Sequence, residues 1–600
     1  MRRSRSTLLT LTVDLLLVVL AWGIAFWLRF NLDVPEEFRA LAVASAPLSV
    51  LAYGLGLTSA RVYRQVWTYT GLPELRQLTL GIALGGLLCA AFVLMLRLPA
   101  FPRSVVLLHP LISLLLLGAA RAGSRTMAER RLSYQSRGSP LVIVGSLADA
   151  SDALRALKGS QQWQPVAIVS PVTSEVGRSI QDIRVMGSIR SLGNVCGAAG
   201  AHTALVASPP GSEERREALL SASGVTLLTM PRPDEWLKTE SMGPRRIELE
   251  DLLGRAAVQL DVAGLAELFS GQTVLVTGAG GSIGSELCRQ IARLGVGRLV
   301  CVDVSEFAIY QLEQELREAH PQMQGIYYTA NVRELERLSA ISLAQSPAVV
   351  FHAAAYKHVP LMEQLNEIEA VQTNALGTLN MARIAGECGA KRFVLVSTDK
   401  AVNPTNVMGA SKRLAELVVQ GVAAQHPQTQ YVSVRFGNVL GSSGSVVPLF
   451  SAQIGRGGPV TVTHPQIVRY FMTIPEAAQL VLQAGLMGQS GQIFVLDMGE
   501  PVKIVELARM LIRLSGKTEQ EIPITYVGLR PGEKLYEELL ADDETSVQTP
   551  HPKLRVAKTS GQLPDIDALL HWVRQAGPAP APADLRAWLR VLVPEYTATR

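Results

Sequence analysis

Long apolar stretches joined by short polar connections fill the first 125 positions of the chain. The four stretches lie at about 7–28, 41–60, 78–96 and 104–120. Each is close to the roughly 20 residues that a helix needs to cross about 30 Å of hydrocarbon. The first is too long for the core of a signal peptide, and more apolar segments follow it without a small-residue cleavage site. The pattern predicts four transmembrane helices within residues 1–125.

Basic residues flank these stretches unevenly, which predicts their orientation. Arginines concentrate at the N-terminus, in the second connection and after the fourth stretch, whereas the first connection is acidic and the short third one fits weakly. Because positive charge is retained on the cytoplasmic side, both termini and the domains beyond residue 125 are expected to face the cytoplasm. Asp14 stands inside the first stretch, where an unpaired charge is costly. We expect an arginine on a neighbouring helix to pair with it as a structural contact.

Short apolar runs and helical segments alternate in the next part of the chain and predict a small parallel α/β unit over 138–235. The runs lie at 140–145, 166–169 and 204–207. The first loop of this unit begins at Gly145 but lacks the further glycines that let backbone approach a pyrophosphate. A spacer or assembly domain is the preferred interpretation, and a second nucleotide site is the alternative. A helical connector is predicted over 236–265.

A β-branched run ending at Thr277 leads into a glycine-rich loop and then into a helical pattern. The loop consists of Gly278, Ala279, Gly280, Gly281, Ser282, Ile283 and Gly284. Its glycines allow close approach of backbone to a diphosphate, and the helix N-terminus supplies amide donors and a favourable dipole. The next strand ends at Asp303, 19 residues after Gly284. A carboxylate there accepts from both hydroxyls of an adenosine ribose and repels a 2′-phosphate, so NAD is favoured over NADP.

Three further strand patterns end in small or polar residues. The first leads into Ala353 and Ala354, where backbone can lie against a cofactor, and the last ends near Asn438. The middle one is followed by Thr398, Asp399 and Lys400 in succession, which form the candidate catalytic segment. Ligands bind at the carboxyl ends of the strands in open α/β sheets. These residues therefore predict a site in a Rossmann domain spanning 266–560.

Composition narrows the range of partners. The net charge is only +5 over 600 residues, and no lysine and arginine run resembles a nucleic-acid footprint. The five cysteines have no metal-ligand spacing, which predicts reduced thiols and no metal site. We therefore expect a nucleotide and a lipid bilayer as partners, and no nucleic acid.

Six motifs occur in order and carry a family resemblance. They are Thr277-Gly-x-x-Gly-x-x-Gly284, His352-Ala-Ala-Ala-Tyr-Lys-His-Val-Pro360, Ser397-Thr-Asp-Lys-Ala-Val-Asn-Pro404, Met408-Gly-Ala-Ser-Lys412, Arg435-Phe-Gly-Asn-Val-Leu-Gly441 and Arg530-Pro-Gly-Glu-Lys534. Together they resemble the extended short-chain dehydrogenase/reductase enzymes that act on nucleotide sugars. Within these, the whole chain resembles the membrane-bound UDP-N-acetylglucosamine 4,6-dehydratases of bacterial polysaccharide and glycan biosynthesis.

The resemblance implies a multi-domain membrane protein. It has four transmembrane helices, a degenerate Rossmann-like α/β domain and a C-terminal extended Rossmann domain with a small substrate-binding subdomain. A tail follows over 561–600, with a flexible break before a short terminal helix. The resemblance also places the chain in a bacterial inner membrane, and a homo-oligomer is expected by analogy.

The implied reaction has three stages, in which hydride leaves C4 of the sugar, water is eliminated across C5 and C6, and hydride returns to C6. The resemblance makes Lys400 the base for the C5 proton and Asp399 the acid for the departing 6-hydroxyl. Met408 stands where the superfamily has a tyrosine, and a thioether cannot take the proton of O4. Thr398 is the expected contact to O4, and Tyr356 is the alternative.

The resemblance also implies a set of binding residues. Lys412 is expected to hold the nicotinamide ribose, and Asn331 replaces an aspartate that often accepts from the adenine amine. The full cofactor set is Thr277, Gly278, Gly280, Gly281, Ser282, Ile283, Gly284, Asp303, Asn331, Val332, Ala353, Ala354 and Lys412. The substrate set is Lys357, Asn438, Val446, Arg469, Arg530 and Glu533.

Three other functions remain open from the sequence. A nucleotide-sugar 4-epimerase would need the oxidation site but has no use for the pair Asp399 and Lys400. A non-catalytic, NAD-binding membrane scaffold is motivated by Met408. A membrane sugar-phosphate transferase can share the four-helix region, but the dinucleotide loop argues against it.

Overall fold

A computed structural model describes most of the chain and divides it into two compact units. The described residues are 2–64, 72–96, 101–134, 138–222, 224–230, 244–253, 258–540, 545–558, 572, 575 and 580–597. The first unit is Met1–Ser139 with Leu157–Gln164, and the second is Pro140–Ala156 with Pro165–Arg600. Parts of the predicted connector and much of the predicted tail, including the start of its proline-rich break at Pro578, lie outside the described residues.

Four long helices form the first unit. They are α1 Arg2–Arg29, α2 Glu36–Ser59, α3 Leu72–Met95 and α4 Arg103–Tyr134. Each contains a segment of 20 to 24 residues that is long and apolar enough to cross a bilayer. The four predicted spans are therefore confirmed by length and composition. The side of the membrane that the later domains face stays a prediction.

An ion pair and a close helix contact join these four helices. Arg121 on α4 donates to both carboxylate oxygens of Asp14 on α1, with N–O distances of 2.8 and 3.2 Å. Both side chains are almost completely buried, so the predicted arginine partner of Asp14 is confirmed. Between α2 and α3, a Cβ added to Gly56 would lie 2.5 Å from the carbonyl oxygen of Gly81. Small residues of this kind let two helix backbones approach closely.

A seven-stranded sheet lies at the start of the second unit. Its strands are β1 Ser139–Val144, β2 Trp163–Ser170, β3 Ser179–Ile180, β4 Ile183–Ser188, β5 Thr203–Val206, β6 Thr226–Thr229 and β7 Arg245–Arg246. Its helices are α5 Leu147–Ala156, α6 Leu192–Ala198, α7 Glu213–Ser221 and α8 Leu249–Leu253. The strand order is β3-β4-β2-β1-β5-β6-β7, and β2-β4, β1-β5 and β5-β6 are parallel pairs. This arrangement confirms the predicted Rossmann-like α/β domain.

The remainder of the second unit contains a larger doubly wound sheet of nine strands and three two-stranded sheets. Its strands are β8 Thr273–Thr277, β9 Arg298–Asp303, β10 Gln324–Thr329, β11 Val349–His352, β12 Arg392–Val396, β13 Gln430–Arg435, β14 Asn438–Val439, β15 Val460–Val462, β16 Val468–Arg469, β17 Phe471–Met472, β18 Gln492–Leu496, β19 Val502–Lys503, β20 Ile524–Tyr526, β21 Thr545–Gln548 and β22 Leu554–Lys558. Nine of these pair in the order β10-β9-β8-β11-β12-β13-β18-β22-β21. The central strands are buried on both faces, as expected for parallel strands covered by helices.

Helices cover both faces of this sheet. They are α9 Val262–Phe269, α10 Ser282–Arg293, α11 Glu306–Ala319, α12 Leu335–Gln345, α13 Val359–Met362, α14 Glu367–Ala370, α15 Gly377–Glu387, α16 Val407–Gln425, α17 Val446–Gly455, α18 Ile474–Met487, α19 Ile504–Leu514 and α20 Pro582–Leu592. The helices α17 and α19 pack with β15 in a small subdomain. Their apolar side chains share a buried cluster with those of the seven-stranded sheet.

The last helix belongs to the core of the larger sheet, although the sequence set residues 561–600 apart as a tail. Leu585 and Leu589 of α20, together with Val593 and Tyr596, are buried in the same cluster as Met408. The backbone N–H of Thr597 also donates to the carbonyl of Pro404 at 3.0 Å. The described part of the C-terminus therefore covers the helices beside the candidate catalytic segment.

Candidate functional site

The glycine-rich loop between β8 and α10 has the close backbone packing that the sequence predicts. Gly278 has a φ of +68°, and a Cβ added to it would lie 2.6 Å from the backbone nitrogen of Ala354. A Cβ on Gly280 would lie 2.5 Å from the Cβ of Ala308. Gly281 is the N-cap of the 12-residue helix α10 and brings no side chain to its first turn. These glycines leave a cradle of the kind that admits a diphosphate at a helix N-terminus.

Asp303 lies beside this loop at the end of β9. Its carboxylate accepts from the backbone N–H of Gly280 and from that of Ser305, each at 2.9 Å. Two backbone donors therefore fix the carboxylate at the mouth of the loop. This is the position in which an acid can accept from the hydroxyls of an adenosine ribose.

A buried histidine contacts Thr277, the residue directly before the glycine-rich loop. The sequence did not single out this histidine as functional. His352 at the end of β11 lies 2.6 Å from Oγ1 of Thr277 through Nδ1 and 3.1 Å from Oγ1 of Thr378 through Nε2. Thr378 gives its own proton to the carbonyl of Asn374, so the histidine donates through Nε2 and accepts through Nδ1. Burial lowers the pKa of His352 to about 3, which keeps the ring neutral. Its position as the first residue of the motif from His352 to Pro360 was the feature of the sequence that could have identified it.

Two predicted cofactor residues follow β10 and have local structural contacts. Oδ1 of Asn331 accepts from the backbone N–H of Arg333 at 3.1 Å, so it shapes its own loop. A carbonyl oxygen has a second lone pair, and that pair can still accept from a ligand. Val332 is buried against α15, because a Cβ on Gly377 would lie 2.6 Å from its Cγ2. Ala353 continues the sheet and donates its N–H to the carbonyl of Thr277 at 3.0 Å.

The catalytic segment follows β12 and forms a tight turn at the carboxyl edge of the sheet. Nζ of Lys400 donates to Oδ1 of Asp399 at 2.9 Å and to Oδ1 of Asn438 at 3.1 Å. The hydroxyl of Thr398 also donates to Oδ1 of Asp399, at 3.0 Å. Asp399 is 1% exposed, and its Oδ2 has no hydrogen-bond partner among the described residues. The structure thus brings together the acid, the lysine, the threonine and Asn438 that the sequence proposed.

Burial and neighbouring charges set the protonation of this pair. Burial raises the pKa of Asp399, and the Glu537 carboxylate adds to the effect while Lys400 opposes it. Burial alone would lower the pKa of Lys400, but the carboxylates of Asp399 and Glu537 outweigh it and the net pKa is raised. A tendency of Asp399 to hold a proton agrees with an acid role. A base role for Lys400 requires the lysine to give up its proton first, against these two carboxylates.

Helix α16 presents Met408 and Lys412 from its first two turns. Oδ1 of Asn406 caps the helix by accepting from the N–H of Gly409 at 2.8 Å. Met408 is 2% exposed and packs in the apolar core. Nζ of Lys412 donates to the carbonyl of Val396 at 2.7 Å, and burial lowers its pKa to about 8. The lysine therefore lies at the edge of β12, next to the catalytic segment.

Glu416, one turn further along α16, ties the helix to the sheet. Its carboxylate accepts from the guanidinium of Arg435 at 2.7 and 2.8 Å, from Arg413 at 3.1 Å and from the hydroxyl of Ser397 at 2.7 Å. Burial opposes its ionisation, but the two arginines outweigh burial and hold the pKa of Glu416 at about 2. Ser397 directly precedes the catalytic segment, so this buried network fixes where that segment leaves the sheet.

The two arginines that are expected to bind phosphate, Arg469 and Arg530, differ in the exposure of their side chains. Arg469 is 8% exposed, and its guanidinium donates to the carbonyls of Val468 and Lys534, each at 2.8 Å. It also lies 3.5 Å from Glu533. Arg469 thus organises the segment around Glu533, whereas the side chain of Arg530 is exposed to solvent. Only Arg530 is presented in a way that leaves its guanidinium open to a phosphate without a rearrangement.

The other predicted substrate residues lie at the rim. Glu533 accepts from the backbone N–H of Arg530 at 3.1 Å and so closes the turn of that motif. Lys357 is exposed just after β11, and Val446 begins α17 and is partly buried in the subdomain. The loop before α17 reaches the cofactor side, because the N–H of Ser443 donates to the hydroxyl of Ser282 at 3.2 Å. This contact brings the loop before the predicted substrate residue Val446 to the start of α10, beside the predicted cofactor loop.

Glu537 is the residue that the sequence missed. Its side chain is 5% exposed, and its Oε1 lies 3.6 Å from Nζ of Lys400 and 3.3 Å from Nε of Arg469. The sequence shows two adjacent acids, Glu537 and Glu538. Nothing local distinguishes the one that faces the site from the one that faces solvent.

The seven-stranded sheet has a carboxylate where a nucleotide phosphate would bind. Oε2 of Glu175 accepts from the backbone N–H of Leu147, the first residue of α5, at 3.0 Å. It also accepts from the hydroxyl of Ser170 at 2.6 Å. A side-chain anion thus already satisfies the helix N-terminus after Gly145, which favours the spacer interpretation over a second nucleotide site.

The chain is similar to one protein family and to several known proteins. The family described as "Polysaccharide biosynthesis protein" matches residues 274–559. The chain is 39% identical over 523 residues to capsular polysaccharide biosynthesis protein CapD of Staphylococcus aureus, covering 86% of this chain and 87% of that protein. It is 41% identical over 537 residues to the probable polysaccharide biosynthesis protein EpsC of Bacillus subtilis, covering 88% of each. It is 32% identical over 285 residues to UDP-glucose 4-epimerase of Rickettsia rickettsii, covering 46% of this chain and 80% of that enzyme.

Proposed function

Because the chain belongs to the polysaccharide biosynthesis protein family, we propose that it is an NAD-dependent 4,6-dehydratase of a UDP-N-acetylhexosamine. UDP-N-acetylglucosamine is the proposed substrate, and the product is a UDP-4-keto-6-deoxy sugar for polysaccharide or glycan synthesis. One observation carries the proposal, namely the buried Asp399–Lys400 pair at the carboxyl edge of the sheet. A simple alcohol oxidation does not need this pair, whereas an elimination needs an acid and a base on one sugar.

The residues around the glycine-rich loop fit NAD. Gly278 and Gly280 leave space that a side chain would fill, Asp303 is fixed where the adenosine ribose would lie, and α10 offers its N-terminus to the diphosphate. Lys412 would hold the nicotinamide ribose. When bound, NAD supplies a hydride acceptor for C4 and a hydride donor for C6, and it ends the cycle oxidised as it began.

The protein's own side chains supply the proton transfers. Thr398 is the proposed contact to O4 of the sugar and passes the O4 proton to water as hydride leaves C4, because the buried thioether of Met408 accepts no proton. Asp399 gives a proton to the departing 6-hydroxyl, and Lys400 takes the proton from C5. When hydride enters C6, the protonated Lys400 gives a proton to C5, and a proton taken up from solvent then restores the Asp399–Lys400 pair, whose Oδ1 and Nζ atoms lie 2.9 Å apart.

Incubation of the purified protein with UDP-N-acetylglucosamine in heavy water tests this function. We expect a product that is lighter by one water before deuterium is counted, with a ketone at C4 and solvent deuterium at C5, read by mass spectrometry and NMR. The 4-epimerase is the second candidate, favoured by the similarity to UDP-glucose 4-epimerase. An epimerised product of unchanged mass would replace the proposal by that candidate. A protein that carries NAD but leaves the sugar nucleotide unchanged would support the scaffold.

A further inference from the structure

Two adjacent glutamates after the Arg530 motif have different environments. Glu537 is 5% exposed and its Oε1 lies between Nζ of Lys400, at 3.6 Å, and Nε of Arg469, at 3.3 Å. Glu538 is 46% exposed and pairs with Nζ of Lys534 at 2.7 Å. Glu537 therefore lies beside Lys400, although about 137 residues separate the two in sequence. Its neighbour Glu538 pairs with Lys534 instead. A buried carboxylate is retained only where it is paired, and Glu537 is paired with the site itself.

We propose that Glu537 is a positioning residue that holds Lys400 at the sheet edge and sets the pH range in which the Asp399–Lys400 pair carries a single proton. This inference rests on the proposed dehydration. The active pair must hold one proton, since it gives one to the 6-hydroxyl and takes one from C5. With two protons the pair has no base, and with none it has no acid.

The charges around Lys400 determine the direction in which Glu537 shifts the pH dependence of the Asp399–Lys400 pair. Nζ faces the carboxylate of Asp399 on its own turn, the amide oxygen of Asn438 on β14 and the carboxylate of Glu537. The guanidinium of Arg469, on β16, acts in the opposite direction. A negative charge at Glu537 favours every more protonated form of the pair. It therefore raises both the pH at which the pair loses its first proton and the pH at which it loses the second.

Glu537 also links the lysine to the rest of the substrate side. Arg469 donates to the carbonyls of Lys534 and Leu535, so the segment that carries Glu537 is folded around this guanidinium. One carboxylate thus connects the catalytic turn to the motif that begins at Arg530. A substrate contact with that motif can in this way be transmitted to Lys400 through Glu537.

The test is the pH dependence of turnover of UDP-N-acetylglucosamine by the full-length protein in detergent, measured for wild type and Glu537→Gln. We expect both limbs of the wild-type profile to move to lower pH in Glu537→Gln by roughly one pH unit, with a lower maximal kcat. Glu538→Gln is the matched control, because it removes the same charge one residue away without a contact to Lys400. Its profile should coincide with that of wild type.

A second variant provides a graded version of the test. Glu537→Asp keeps the negative charge but moves it away from Lys400 by the length of one methylene group. Both limbs of the pH profile should therefore move in the same direction as in Glu537→Gln, by a smaller amount. If Glu537→Gln shows no cooperative thermal transition and is therefore not folded, the pH profile of Glu537→Asp compared with that of wild type tests the inference in its place. A reduced kcat with an unmoved profile in these variants would show a merely structural role and overturn the inference alone. A wild-type protein that is inactive at every pH would overturn the proposed function and this inference together.

Discussion

At the scale of single residues, the proposed elimination depends on the buried carboxyl of Asp399. Asp399→Asn keeps the shape of the side chain but removes the acid, so dehydration should fall by roughly 10²–10⁴-fold. Bound NAD should be retained, because Asp399 lies outside the loop formed by Gly278 and Gly280. Product formation from UDP-N-acetylglucosamine is the measurement, and Asp152→Asn on the exposed face of α5 is the control. Unchanged dehydration in Asp399→Asn would contradict the mechanism.

Met408 is the second residue whose role can be separated by substitution. Its side chain is buried in the core beside the catalytic segment, and leucine has a similar volume. Met408→Leu should therefore keep kcat within about threefold of wild type, because the thioether transfers no proton. Thr398→Val should lower kcat much more than Thr398→Ser, since only serine keeps the hydroxyl. A severe loss in Met408→Leu would assign the sulfur a part in the reaction.

At the scale of elements, we expect the packing of the glycine-rich loop against the residues after β11 to control cofactor binding. Gly278→Ala would place a Cβ 2.6 Å from a backbone nitrogen of Ala354 at a φ of +68°. The loop must then move, and the purified protein should lose its bound NAD. Gly295→Ala is a matched control, because Gly295 has a φ of +76° but no neighbour within 4 Å. It should cost about 1 kcal/mol of stability and keep the NAD-to-protein ratio of wild type.

We expect the buried ion pair between Asp14 on α1 and Arg121 on α4 to stabilise the contact between these two helices. Asp14→Leu leaves the guanidinium of Arg121 buried without its carboxylate, which should cost about 3–5 kcal/mol. Thermal denaturation in detergent should show this as a large decrease in midpoint. The double variant Asp14→Leu/Arg121→Leu removes both charges and should recover most of the loss. Equal midpoints for Asp14→Leu and wild type would show that the pair does not stabilise the helices.

At the scale of the whole molecule, the asymmetry of the flanking charges predicts which side of the membrane each segment faces. Asp33 lies in the predicted outer connection and its side chain is 94% exposed. In a cysteine-free background, Asp33→Cys should react with a membrane-impermeant maleimide in intact cells after permeabilisation of the outer envelope. A cysteine at Asp584, on α20, should react only once the inner membrane is opened. The reverse pattern would invert the proposed orientation and remove the cytoplasmic location of the site.

Much of the fold could be predicted because its signals are local. Four apolar stretches specify helices of membrane-crossing length, and strand–loop–helix order around Gly278 and Asp303 specifies a nucleotide-binding unit. The catalytic segment could be located because it ends a buried strand of a parallel sheet. In each case the sequence pattern that predicts the element lies within about 30 consecutive residues. Side-chain burial and backbone geometry follow from these residues and their order.

The sequence by itself therefore determined the architecture, the cofactor loop and the identity of the pair Asp399 and Lys400. Only the tertiary structure decided that Arg121 is the partner of Asp14, that Glu537 rather than Glu538 reaches Lys400, and that Glu175 occupies the N-terminus of α5. It also decided that α20 completes the catalytic core. The physical reason is common to all of these. Contacts between charges and helices depend on which distant segments the chain brings together, and no local periodicity encodes that choice.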